Sequence, residues 1–183
     1  MNRLMGAIAA VCVLGVAGLA VAGGPPDRAA WWRGYLAAPS VVTPNGRKLR
    51  VFCMGTGSPT VVIEAGLGVA GYGYRYVQPQ ISATTRTCVY DRAGYGGSAE
   101  ARDERDLEAL SRDLAVVVKA VGGGKPVVLV GASFGGPITR YFTAGHRGLV
   151  AGLVLVDPSG DDQTARLAAV VPSSSRTAPP RDD

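Results

Sequence analysis

An α/β architecture, a mostly parallel sheet with flanking helices, is predicted by two features of the sequence. The first is a set of short apolar runs without polar alternation, at residues 60–63, 87–90, 127–130 and 153–156. Strands buried on both faces read this way, as in a parallel sheet. Each run is followed by glycine or aspartate residues, as loops at the carboxyl edge of an α/β sheet require. The second is helical periodicity between the runs. Leu107, Leu110, Leu114, Val117, Val118 and Val121 recur at spacings of three and four, which marks an amphipathic helix. Strands alternating with helices argue a layered α/β domain.

The elements follow in order. Met1-Asn2-Arg3 precedes an apolar run, residues 4–24, that opens at Leu4, closes at Gly24 and carries no charge. With Ala20-Val21-Ala22 as a small-residue cleavage pattern, this is the layout of a secretory signal. An uncleaved anchor is the rival reading, because about 20 apolar residues can span a bilayer. Residues 1–22 are therefore expected to be a signal peptide or membrane anchor. The rest of the chain is expected to be secreted or periplasmic, or anchored to the membrane facing outward. Residues 23–40, with Trp31, Trp32 and Tyr35, are expected to form a linker. Val41-Val42-Thr43-Pro44-Asn45-Gly46-Arg47 reads as a strand entering an Asn-Gly hairpin turn, with both central residues at positive φ. The return strand spans residues 49–54, and Pro44 marks the pair as an edge.

Asp103, Glu104 and Asp106 crowd the start of the helix at 107–121 and Lys119 lies near its end, in keeping with the helix dipole. Gly122-Gly123-Gly124 stops it. A second helix is expected after Ser133, through Tyr141 and Phe142. A third, around residues 74–83, is broken or started by Pro79. The folded domain is expected over residues 41–160. Residues 161–183 are expected to be a polar, disordered tail.

Composition narrows the function. The 183-residue chain carries nineteen Lys+Arg against fourteen Asp+Glu, a net charge of +5. The positive residues are scattered, so a nucleic-acid partner is not expected. Cys12 lies in the leader. Cys53 and Cys88 are disulfide candidates in an exported chain, the alternative being two buried small side chains. No cofactor and no metal site is expected.

Gly131-Ala132-Ser133-Phe134-Gly135 follows a buried strand and opens a helix. That is the context a G-x-S-x-G nucleophile elbow requires. Ser133 is the candidate nucleophile, and the Phe134 N–H, at the helix start, is a candidate oxyanion donor. The plain alternative is a glycine-rich strand-to-helix turn. In Glu64-Ala65-Gly66-Leu67-Gly68 the Leu67 N–H would be the second donor. A competing reading starts from Gly66, Gly68 and Gly71, a G-x-G-x-x-G after a strand, with Asp91 twenty residues on. This is the dinucleotide-binding layout. Pro79, the crowding of Tyr72, Tyr74 and Tyr76, and the export signal argue against it. Gly124-Lys125 is not a P-loop, because Pro126 sits where Ser or Thr is required.

Taken together, Val61-Val62-Ile63-Glu64-Ala65-Gly66-Leu67-Gly68, Tyr90-Asp91-Arg92-Ala93-Gly94-Tyr95-Gly96-Gly97-Ser98, Gly131-Ala132-Ser133-Phe134-Gly135-Gly136 and Leu153-Val154-Leu155-Val156-Asp157 resemble the α/β-hydrolase fold family in order and spacing. The resemblance covers about residues 41–160. It implies a serine esterase-like enzyme acting on a small-molecule ester or acyl substrate. It implies that Ser133 is the nucleophile, that Leu67 and Phe134 supply the oxyanion hole, and that residues 91–98 shape and brace the site. It also sets the strands of Cys53 and Cys88 side by side, which supports their disulfide.

The departures are equally specific. Members usually carry histidine where Glu64 or Ala65 stands. The family's catalytic acid usually follows its seventh strand and its histidine the eighth, whereas this chain ends just after the sixth. Asp157 is the remaining acid candidate. His146, the one histidine, is expected at the far end of its helix from Ser133, so no histidine base is expected. On this reading the chain is truncated after the sixth strand, without the cap that selects substrate, and is weakly active or inactive. The alternative is a non-catalytic binding module on a truncated hydrolase fold. The strand at 153–156 is expected to leave a bare apolar edge that invites pairing.

Overall fold

The computed structural model describes residues 27–160 together with Asp162 and Gln163. The expected signal or anchor, and the expected tail apart from those two residues, lie outside the described residues. Among the described residues no helix is long and apolar enough to cross a membrane.

Six strands form one sheet: β1 (Ser40–Val42), β2 (Lys48–Met54), β3 (Val61–Glu64), β4 (Thr87–Tyr90), β5 (Val127–Ala132) and β6 (Val150–Val156), in spatial order β1-β2-β4-β3-β5-β6. β4, β3, β5 and β6 run parallel, and β1 and β2 are antiparallel additions at one edge. All four residues of β3 and of β4 are buried, as continuous apolar runs require. The fold class expected from the sequence is the one observed.

Helices cover both faces. α3 (Leu107–Gly122) is capped by Asp106, whose carboxylate accepts from the Ala109 amide at 2.7 Å, and ends at Gly123 in the left-handed region. Its buried stripe, from Leu110 through Val121, packs with Leu49, Val62, Leu129, Ile138 and Phe142. α4 (Gly135–Gly145) lies on the same face, supplying Ile138 and Phe142. A smaller cluster of Val61, Ile63 and Val89 on the other face meets Phe52, Tyr74 and Ile81. Ile81 belongs to α2 (Gln78–Ser82), a five-residue helix with Pro79 in its first turn.

Two expectations are corrected. Residues 28–36, expected within a linker, form a helix, α1 (Arg28–Leu36). Asp27 caps it, accepting from the Ala29 and Ala30 amides at 2.9 and 3.1 Å, and Trp31 and Tyr35, four apart, turn inward. The turn after β1 is also longer than a two-residue Asn-Gly hairpin. The Gly46 amide donates to the Thr43 carbonyl at 2.9 Å, and the Thr43 amide to the Arg47 carbonyl at 2.9 Å. Gly46 is at φ +80°, whereas Asn45 is not in the positive region. A type I turn with Pro44 second, followed by a left-handed glycine, produces this loop.

Cys53 and Cys88 stand directly opposite each other on β2 and β4 and are joined by a disulfide. At the other edge β6 pairs with β5 alone among the described residues, and Val154, Leu155 and Val156 are exposed. The bare apolar edge expected from the sequence is thus present within the described chain.

Candidate active site

The order β4-β3-β5 fixes where a site can form. From β3 the chain moves outward to β4, then crosses back to β5 on the other side. The loops leaving β3 and β5 therefore diverge at their carboxyl ends, the position at which open α/β sheets place ligand sites. Residues 64–68 and the Ser133 elbow sit there.

The elbow is a strained turn. Ser133 has φ +49°, rare for a residue with a side chain, and it is exposed. The conformation is held from two sides: the Ser133 amide donates to the Val156 carbonyl at 3.0 Å, and its carbonyl accepts from Gly136 at 2.9 Å and Ser159 at 3.0 Å. Close packing explains the glycines. A Cβ on Gly135 would collide with the Glu64 carbonyl oxygen and lie 2.9 Å from that of Ala65, and one on Gly131 would run into the Thr139 hydroxyl. Gly135→Ala is accordingly expected to cost about 1–3 kcal/mol by forcing β3 and the elbow apart, read by urea unfolding, and to slow chemical labelling of Ser133.

Gly66 faces Ser133, and a Cβ placed on it would lie 3.4 Å from the Ser133 Cβ. Among the described residues no backbone carbonyl accepts from the amide of Leu67 or of Phe134. Phe134 directly follows the serine, and Leu67 follows the glycine packed against it. What orients the Leu67 amide is a buried salt bridge. Arg92 and Glu64 meet at 2.8 Å, with side chains 4% and 0% exposed. The same guanidinium donates to the Ala65 carbonyl and, at 2.5 Å, to the Gly66 carbonyl. In a trans peptide the C=O and the following N–H point opposite ways. With the Gly66 carbonyl held by buried Arg92 and by the Val69 amide at 3.3 Å, the Leu67 N–H is directed the opposite way. Burial pushes the Glu64 carboxyl above its ordinary value, and Arg92 and the Tyr90 hydroxyl that donates to it pull the other way.

Asp91 overturns the dinucleotide reading. Its buried carboxylate accepts from the Tyr35 hydroxyl at 2.8 Å, the Gly71 amide at 2.7 Å and the Gly97 amide at 2.9 Å. A carboxylate enclosed in this way cannot reach a ribose, and it binds the last glycine of the supposed fingerprint itself. Nor does a helix open on Gly66, Gly68 and Gly71: a 3-10 turn (Gly71–Tyr74) follows, and α2 starts only at Gln78. Asp91 instead ties α1, the residue-71 turn and the residue 91–98 loop together. Ser98 adds to that loop, donating to the Asp91 carbonyl at 2.6 Å and accepting from the Arg50 amide at 2.8 Å.

The other candidates lie as follows. His146 follows the last residue of α4, with its ring stacked on Phe142 at 4.4 Å and Nδ1 3.1 Å from the Phe142 carbonyl. The eleven residues of α4, roughly 16 Å of rise, separate it from the elbow. Asp157 is exposed at the end of β6, at φ +43°, and makes no hydrogen bond to Ser133 among the described residues. Sequence reasoning missed the Glu64–Arg92 pair and the role of Tyr35. The signal for the first was a glutamate ending an apolar strand and an arginine two residues past the end of another. A charge at a buried carboxyl edge demands a partner.

A family model described as the alpha/beta hydrolase fold matches residues 59–180. The uncharacterized protein YqjL of Bacillus subtilis (strain 168) is 30% identical over 108 residues, 59% of this chain and 43% of that protein. Epoxide hydrolase 3 of Xenopus tropicalis is 30% identical over 102 residues, 55% of this chain and 28% of that one. A malate-bound thermophilic esterase from Thermogutta terrifontis superposes with a TM-score of 0.58 at 27% identity, covering 66% of this chain and 44% of the esterase. The chain spans less than half the length of each of these proteins. With the sheet order, the elbow and the family match in agreement, the chain belongs to the α/β hydrolase fold family.

Proposed function

We propose that this chain carries the nucleophile and oxyanion hole of a serine hydrolase acting on carboxylic esters or related acyl compounds. The observation that carries the reading is the exposed Ser133 at φ +49°, followed by the Phe134 amide and packed against the glycine that precedes Leu67. The esterase among similar structures supports an acyl substrate, and the disulfide supports a compartment outside the cytoplasm.

In this mechanism the Ser133 Oγ attacks the acyl carbon. The two N–H groups hold the developing oxyanion, an interaction worth about 3–4 kcal/mol of transition-state stabilisation per donor. The serine proton must pass to a base, and among the described residues no side chain hydrogen-bonds the Ser133 hydroxyl. A site without its base retains roughly 10³–10⁴-fold catalysis over water. Weak turnover by the 183-residue chain is therefore expected. The same observation favours a second reading, a binding module that keeps the pocket and lacks the chemistry.

The test is labelling with a fluorophosphonate followed by intact-mass analysis, with p-nitrophenyl acetate hydrolysis in parallel. Slow labelling on one site, abolished in Ser133→Ala, is expected. Labelling unchanged by that substitution would overturn the assignment of the nucleophile. Saturable ligand binding with no labelling would favour the binding module.

A further inference from the structure

We infer that the outward face of α1, with residues 72–77 beside it, seats on an anionic lipid surface. α1 carries two stripes. The inner one locks the helix to the domain: Trp31, 3% exposed, donates its indole N–H to Gln78 at 3.0 Å, and Tyr35, 2% exposed, donates to Asp91. The outer stripe is Arg28, Trp32 and Leu36, spaced four apart and so on one helix face. Trp32 is 37% and Leu36 62% exposed.

The neighbouring segment extends this face. Tyr72 stacks on Trp32 with ring centroids 6.1 Å apart, and Tyr76 lies under both Arg75, at 4.4 Å, and Arg28, at 5.7 Å. Tyr72, Tyr76 and Val77 are all exposed. Two arginines, Arg28 and Arg75, serve this strip, while the nearby carboxylate, Asp27, is solvent-exposed and lies 3.9 Å from Arg33.

The chemistry is that of a headgroup layer. Tryptophan and tyrosine place an apolar ring beside a polar edge, which suits the membrane–water interface. The arginines supply charge for lipid phosphates. Chain connectivity agrees. The apolar run over residues 4–24 ends three residues before Asp27, and three residues reach at most about 11 Å. Where that run is retained in a bilayer, Asp27 stands within about 11 Å of its last residue. A half-exposed, cationic aromatic strip at that distance fits a lipid surface better than a protein partner.

The test uses the full chain in vesicles of phosphatidylcholine, alone or with phosphatidylglycerol, containing lipids brominated near the headgroup. Trp31 is the shielded reference, and Trp32→Phe isolates the contribution of Trp32. The expected result is bromine quenching of Trp32 in the anionic vesicles, weaker in neutral ones. Docking should fall roughly fivefold for each of Arg28→Ala and Arg75→Ala, while the chain still floats with the vesicles. Unquenched Trp32 in anionic vesicles overturns the proposal and favours a protein partner for the strip. Quenching equal in both vesicle types and indifferent to the arginines also overturns it, by assigning the contact to the apolar run alone.

Discussion

Arg92→Met is expected to destabilise the protein by about 3–5 kcal/mol, the range for removing one partner of a buried ion pair. The loss has three sources: Glu64, its side chain 0% exposed, is left without its partner, the Ala65 carbonyl loses its side-chain donor, and the Gly66 carbonyl keeps only the Val69 amide at 3.3 Å. Urea unfolding measures it directly. Arg92→Lys separates stability from positioning. An ammonium can stay paired with Glu64, but it lacks the planar fork that reaches a carboxylate and two carbonyls at once. Stability should recover to within about 1–2 kcal/mol of the parent, while fluorophosphonate labelling of Ser133 stays slow because the Leu67 amide is no longer aimed. Labelling restored in full by lysine would reduce Arg92 to a merely structural charge.

That pair also shows where reading the sequence stops. The strands, α3 and the elbow were legible because their signals are local: apolar runs, a 3.6 period, and a serine between glycines after a strand. The Glu64–Arg92 bridge joins residues 28 apart, one ending β3 and the other two residues past the end of β4, and only the β3–β4 register brings them together. The helix α1 escaped for another reason. Its nine residues include Gly34 and only one buried pair, Trp31 and Tyr35, too little for a periodicity to register. Its signals were the capping Asp27 and the four-residue aromatic spacing, and both acquire meaning only from what the aromatics meet, Gln78 and Asp91. The Asn-Gly turn failed at the level of register, since Pro44 diverted the chain into a longer loop around the same glycine.

These differences bear on the function. The parts legible in sequence form the scaffold and present Ser133. Residues 91–98 were expected to brace the site, but the partners through which they do so, Glu64 for Arg92 and Tyr35 for Asp91, were not legible. A G-x-S-x-G match therefore identifies the lineage, whereas the loop that faces Ser133 is held by a buried arginine that fixes one peptide plane.

Removing the disulfide through Cys53→Ala/Cys88→Ala is expected to act on stability and not on the site. The bridge closes a loop of 35 residues, for which chain entropy gives about 4 kcal/mol, or a drop in Tm on the order of 10–15 °C for a domain of this size. The contribution arises mainly in the unfolded chain, so the native geometry is retained. Register supports this separation. Cys88 lies in one row with Val62 and Leu129, behind the carboxyl ends from which residues 64–68 and the elbow project. β2 itself touches neither β3 nor β5, because β4 stands between them. Ser133 labelling well below the melting range should therefore equal that of the parent, in contrast to Arg92→Lys, which keeps most of the stability and loses the labelling. Thermal unfolding with and without reductant, run beside the labelling assay, checks both halves. A melting curve indifferent to reductant would show that the thiols are not bridged in the folded protein. A parallel loss of labelling in the double variant would show that the pairing of β2 with β4 reaches the site.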